Sequence, residues 1–170
     1  PFVVFPITTQ ANAALSLEKL GGAEVGFDFT LAPGLLLSAT GFYNRLNNAI
    51  SNVTIGPNLR QRQNIDAIVA KGVEITAHAR IAAFTLGVNY AYSHSEVDAP
   101  GLAFDGLMPP QSPRHSANGT LAWAPGNSSD AMLSASVHYV SKQYEDDLQT
   151  DILPSAVTVD LNARLALGKD

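Results

Sequence analysis

The chain has 170 residues, enough for one ordinary domain, with 46% hydrophobic and only 15% charged residues, against roughly 25% charged in a typical globular domain. Such a chain has little material for a water-facing surface. A net charge of −5 and a pI near 5.2 argue against a nucleic-acid partner, which would want a basic face; the lack of cysteine excludes disulfides, thiol nucleophiles and cysteine metal sites; and no apolar run reaches the ~20 residues of a transmembrane helix.

No signal-peptide pattern opens the chain, and Pro1 cannot be a natural initiator, so an upstream portion is expected. From there the pattern is β. Val25, Phe27, Phe29 and Leu31 alternate with Glu24, Gly26, Asp28 and Thr30, the period of two of a strand with unlike faces. Ala32-Pro33-Gly34 predicts a tight turn. A second strand runs from Leu35 to about Asn47, with Leu35, Leu37, Ala39, Gly41 and Tyr43 on one face; Leu36, Phe42 and Leu46 break the alternation. Val73 to Ile81 alternates again, and after Ala82-Ala83 so does Phe84 to Ser93. Ser116 to Trp123, Leu133 to Tyr139 and Val157 to Leu167 complete about seven strands, with a turn expected around Pro125-Gly126. Most have the ~9–11 residues of a membrane-crossing strand.

The connections alternate in length. Short ones fall near 32–34, 82–83 and 124–129, long ones near 48–59, 98–112 and 145–154. In an up-and-down meander this places every short turn at one end and every long loop at the other, the layout of outer-membrane barrels. Phe27, Phe29, Phe84 and Trp123 lie toward the short turns, and Tyr43, Tyr90, Tyr92, Tyr139 and Tyr144 toward the long loops: two aromatic bands, as interfacial girdles require. A soluble barrel or sandwich would also alternate, but its polar face would be rich in Lys, Glu, Asp and Arg. Here that face is mostly Ser, Thr, Asn, Gly and Ala, which suits a wet lumen. The expected fold is therefore all-β: an antiparallel up-and-down transmembrane β-barrel segment of about seven or eight strands. Closure needs an even number in bacterial single-chain barrels and the chain stops at Gly168-Lys169-Asp170, so the segment is expected to belong to a larger barrel.

Several segments, in order, resemble the TonB-dependent outer-membrane receptors. Asn12-Ala13-Ala14-Leu15-Ser16-Leu17-Glu18 is similar to the family's N-P-x-L-x-P-E, with Ala13 and Leu17 at the proline positions, and is followed by Glu24-Val25-Gly26. Ser38 to Arg45 resembles the next strand of such receptors. Arg62-Gln63-Asn64-Ile65-Asp66 with Lys71-Gly72-Val73-Glu74 resembles N-x-x-x…[RK]-G-V-E, Pro113-Arg114-His115 a strand-opening P-R-H, and Tyr139 to Asp147 an R-Y-V-G-K-Q-Y-E-D-D segment. The resemblance implies that residues 1–170 are one partial domain, the later part of a barrel of about 22 strands, with the N-terminal plug and the terminal strands absent. It implies a bacterial outer-membrane location and uptake of a scarce, bulky nutrient, most often an iron–siderophore complex, with vitamin B12 or carbohydrate as other family substrates. The partners implied are outer-membrane lipid, the TonB energy-coupling complex acting through the plug, and a small-molecule metal chelate. No cofactor is implied. A passive porin or structural barrel is the competing class, and an upstream plug would discriminate.

Arg60, Arg62 and Arg114 lie where long loops enter strands. A lumen-facing guanidinium attracts an anionic chelate by pairing carboxylates bidentately; pairing with Asp66, Glu74 or Asp160, or contact with a plug, is the plainer role. His78, His94, His115 and His138 lack close metal spacing. Glu145-Asp146-Asp147 with Asp151 offers carboxylate oxygens to a divalent cation, though such runs are usually solvated loop. No catalytic nucleophile–base or acid pair is present, so no enzyme activity is expected.

Overall fold

The computed structural model describes residues 7–125 and 131–166. Twelve strands follow one another among them: β1 (Thr8–Gln10), β2 (Lys19–Ala32), β3 (Leu35–Asn47), β4 (Ile50–Gly56), β5 (Leu59–Asn64), β6 (Ala67–Ile81), β7 (Phe84–Asp98), β8 (His115–Trp123), β9 (Ala131–Val140), β10 (Gln143–Tyr144), β11 (Ile152–Leu153) and β12 (Ala156–Leu165). Seven form one antiparallel sheet in the order β12-β9-β8-β7-β6-β3-β2, each long strand pairing with its successor. Much of the expected 124–129 connection, Leu167 and Gly168-Lys169-Asp170 lie outside the described residues.

The register turns the alternation into two faces. Ala39, Ile75, Tyr90, Ala117, Tyr139 and Val157 stand in one cross-strand row. Leu37, Ala77, Val88, Gly119, Val137 and Val159 form the next, and Leu35, Ala79, Leu86, Leu121, Ala135 and Leu161 the one after. These apolar rows pack on no second layer: Phe27, Val73, Leu133 and Leu161 are all exposed. A contiguous apolar sheet face of this extent is a lipid contact, since water-soluble proteins bury such faces.

The opposite face is wired by small polar groups. The Ser38 hydroxyl donates to Asp28 Oδ1 at 2.5 Å and the Thr76 hydroxyl to Asn89 Oδ1 at 3.0 Å. Thr120 and Ser136 hydroxyls meet at 2.9 Å. His138 bridges Asn118 Oδ1 through Nδ1 at 2.6 Å and Asp160 through Nε2 at 3.4 Å. Cross-strand pairs of this kind stabilise a sheet without needing a packed interior.

Two features differ from the sequence expectation. β3 has the expected span, Leu35–Asn47, but β2, β6 and β7 run 14–15 residues, past the membrane, because the upper ends of these strands pair with one another and carry charge there; Arg45 and Asp98 form an ion pair of 2.7 Å. The first long connection is not an open loop: β4 and β5 form an antiparallel hairpin, with β1 parallel to β5. The breaks in alternation also have causes. The Phe42 ring lies over Gly72, where a Cβ would come within 2.8 Å of it and collide with the Tyr92 carbonyl. Leu46 packs on a small buried cluster of Ala49, Ile65, Val97, Ala99 and Phe104 at the loop end of the inner face.

The short turns are held by backbone conformation. Gly34 adopts φ +81° in the Pro33-Gly34 turn, as glycine does at little cost, and its carbonyl accepts the Arg80 amide at 2.7 Å. Ala82 takes φ +50° between β6 and β7.

Candidate functional site

All described long connections emerge at one end and lock into a rim. The segment before β2 is tied to the hairpin by polar side chains. Asn12 Oδ1 accepts the Ala14 amide at 2.9 Å, closing a local turn, and Asn12 Nδ2 donates to the Arg62 carbonyl at 2.9 Å. Glu18 accepts the Ile50 amide at 2.6 Å. Asn64 accepts the Ser16 amide and donates to the carbonyls of Ser16 and Asn48, so one side chain joins three segments. Leu17, at a proline position of the family pattern, is 84% exposed; the hydrogen-bonding residues of that pattern do the fastening.

The acidic run is neither a solvated loop nor a cation cage. Asp146 and Asp147 are 7% and 4% exposed. Asp146 accepts the amides of Leu148, Thr150 and Asp151 at 2.9, 3.2 and 2.7 Å. Burial, the largest single influence, pushes its carboxyl pKa up. The hydrogen bonds from the Thr150 and Asp151 amides, the Thr150 hydroxyl and the Leu148 amide together outweigh burial and hold it below the ordinary value. Asp147 reaches across to the hairpin and accepts the Thr54 amide at 3.0 Å and the Thr54 hydroxyl at 2.6 Å. Glu145 faces Arg60 at 3.8 Å and accepts Gln111 Nε2 at 3.0 Å. The loops after β3, β7 and β9 are thereby cross-linked. No group of three or more His, Asp or Glu among the described residues is arranged to hold a metal ion.

The three arginines part company. Arg60 is committed to Glu145 and not to Asp66, Glu74 or Asp160. Arg62 projects an exposed side chain from β5. Arg114 lies beside Met108, its Nε donating to Sδ at 3.1 Å. They do not converge on one point. Thr54 is a rim residue outside the family-like segments; Glu18 and Asn64 fall within them, which was their signal.

A lipid-facing apolar wall, a polar inner face and a cross-linked loop rim define an outer-membrane β-barrel wall of the receptor type. The family model described as TonB dependent receptor-like, beta-barrel matches residues 4–170. The chain belongs to that family; it is an outer-membrane protein, and the family is one of receptors and not of enzymes. Similar solved structures include the ferric yersiniabactin uptake receptor of Yersinia pestis, with TM-score 0.68 and 22% identity over 85% of this chain and 22% of that one. The siderophore receptor PiuA of Acinetobacter baumannii gives TM-score 0.68 and 21% identity over 88% and 22%. The FrpB iron transporter of Neisseria meningitidis gives 0.62 and 16% over 91% and 25%. The chain thus spans about a quarter or less of these receptors. No curated protein matches it in sequence.

Proposed function

We propose that these residues form part of the wall and outer rim of a TonB-dependent uptake receptor, and that its cargo is a bulky metal chelate of the iron–siderophore class. The observation that carries this reading is the rim. Loops from three hairpins are fastened to one another by Asp147 and Glu145, and Asn64 ties in the segment before β2, which makes a fixed outer vestibule over a polar inner face, the surface a large hydrophilic chelate must pass. The iron and siderophore receptors with the same fold support the cargo class. Energy coupling would come from the TonB complex acting through a plug domain, a role for which none of these wall residues is suited. Seven strands leave β2 and β12 with unpaired edges among the described residues, and a lipid-spanning sheet needs both edges paired, so further strands would complete the barrel. Within the rim, Arg62 would contact an anionic chelate, having an exposed guanidinium and no ion pair among the described residues.

The test uses the complete receptor in cells unable to make their own siderophore, supplied with a panel of ferric siderophores. Growth on at least one, abolished when TonB is deleted, is expected; solute flux that persists without TonB would instead identify a passive pore. Arg62→Gln should weaken apparent ligand affinity by about tenfold, the loss of one charge-assisted contact. Unchanged affinity would remove Arg62 from the ligand site.

A further inference from the structure

The β4–β5 hairpin is rooted between β3 and β6, yet its far end is held by the loop after β9. In the sheet, β6 and β9 are three strand spacings apart, about 14 Å at ~4.8 Å each. β4 has seven residues, about 24 Å at ~3.4 Å per residue, so it is long enough to lie across the heads of β7 and β8. It sets out along the inner side. Leu46, Ile68 and Val97 stand in one cross-strand row, on the same face of their strands as Ser38, Thr76 and Asn89 of the polar ladder. Val53 of β4 packs with Leu46 and Ile68 on the buried cluster that holds Val97 and Phe104.

Two paired strands of six or seven residues are marginal on their own, and here every part of the hairpin is fastened from outside. At the root the Ile65 amide donates to the Ala49 carbonyl at 2.8 Å, Asn64 Nδ2 donates to the Asn48 carbonyl at 2.7 Å, and Glu18 takes the Ile50 amide. Midway, Val53 sits on the apolar cluster. Toward the far end the buried Asp147 takes both donors of Thr54, and Arg60 faces Glu145. Along the outer edge β1 pairs with β5, and the Thr8 amide donates to the Asn58 carbonyl at 2.9 Å. The fasteners thus come from the segments ahead of β2, the loop after β7 and the loop after β9. A loop that opened for each cargo molecule would surrender them at every cycle, including two hydrogen bonds to a carboxylate shielded from water, which is costly to leave unmade.

We propose that the β4–β5 hairpin is a fixed strap, which stays latched while cargo enters, and that Asp147 acts through it as a positioning residue for Arg62. Arg62 stands opposite Asn52 on the strap, two residues from the Arg60 contact, and both Arg62 and Asn52 are exposed. Latching at Thr54 therefore fixes where the Arg62 guanidinium meets a passing anion. The inference rests on the uptake reading above and adds to it which part of the rim does not move.

The complete receptor is tested in cells supplied with radioiron-loaded catecholate, hydroxamate and carboxylate siderophores. Leu59→Cys and Leu148→Cys place thiols on one cavity of about 220 Å³ between the strap and the loop after β9. They leave Thr54, Arg60, Glu145 and Asp147 intact, and residues 1–170 contain no other cysteine. A short bismaleimide then ties the strap down. The tied receptor should keep its uptake rate within about twofold, as for a surface whose backbone stays in place on binding. Loss of uptake on cross-linking would overturn the strap, since the hairpin would have to open. Asp147→Ala should weaken apparent affinity by about tenfold, as Arg62→Gln does, because the charged contact is no longer held in place. Unchanged affinity in Asp147→Ala, where Arg62→Gln does weaken it, would end the positioning role. A wild-type receptor that takes up none of the three siderophores would instead sink the uptake reading, and the strap with it. Should the cysteine variant not fold, hydrogen exchange on the wild-type receptor decides. The Val53 and Thr54 amides should be equally protected with and without bound siderophore, and a change of about tenfold or more would mean that the latch opens.

Discussion

Asp147 and Asp146 do different work one residue apart. Asp147 serves another element: its carboxylate takes both the amide and the hydroxyl of Thr54, and hydrogen bonds to a charged acceptor contribute ~1.5–3 kcal/mol each when shielded. Asp147→Ala should release the 141–155 loop from the hairpin and raise amide exchange at Thr54 and its neighbours by about tenfold or more, with the wall strands unaffected. Asp146 serves its own loop. Its carboxyl pKa is held below the ordinary value, so it contributes stability that is fully present above the unfolded-state pKa, roughly 3.9, and is lost as pH falls through the lower folded pKa. Loop protection read by hydrogen exchange should stay flat from neutral pH down to about 4 and decline only below it. A decline beginning near pH 6 would mean another group controls the loop. Gly34 is a residue of a third kind. Its φ is +81°, and a Cβ added there would stand 2.7 Å from the Arg80 carbonyl oxygen. Gly34→Ala therefore meets both left-handed strain, ~1–2 kcal/mol, and a steric clash. Denaturant unfolding in detergent should show a loss at least that large.

At the scale of elements, the β6–β7 hairpin carries a stress that a single change relieves. Ala82 occupies φ +50°, and Ala82→Gly should raise stability by about 0.5–1 kcal/mol, the left-handed strain less the added entropy of glycine. The long strands were legible in the sequence because each has one face for lipid and one for the lumen, so apolar and small polar residues separate at a period of two. Their upper extensions were less legible. Above the membrane both faces meet water or loops, and Lys71, His94, Glu96 and Asp98 no longer follow a lipid rule. The β4–β5 hairpin was hidden for the same reason. Ile50–Gly56 and Leu59–Asn64 are short and lack a sustained apolar–polar alternation, and they are secured by Asn64 of the hairpin itself and by Glu18 and Asp147 from other segments. The acidic run misled most, because charge in sequence reads as solvation while the groups that bury Asp147 include Thr54, 93 residues away. Arg60 was recognisable as a rim residue, but its partner Glu145 depends on how two loops meet in space, which residue spacing does not encode.

For the whole molecule, everything rests on which face meets lipid, and two adjacent residues of β7 test it. Val88 sits in the row Leu37-Ala77-Val88-Gly119-Val137-Val159, midway between the Phe84 and Tyr92 rings. Asn89 projects to the other side, within reach of the Thr76 hydroxyl. If the apolar rows face hydrocarbon, Val88→Arg places a charge near the bilayer midplane at a cost of about 2–4 kcal/mol, whereas a charge on the lumen side is nearly free. In the complete receptor, refolded into lipid vesicles and titrated with denaturant, Val88→Arg should lower stability by that amount and Asn89→Arg by much less. The two substitutions add the same side chain one residue apart, so propensity and chain position largely cancel and orientation alone separates them. A larger loss at Asn89 would mean that the polar face meets lipid. The wall would then be inside out, and the lumen assigned to the polar ladder would fall with it.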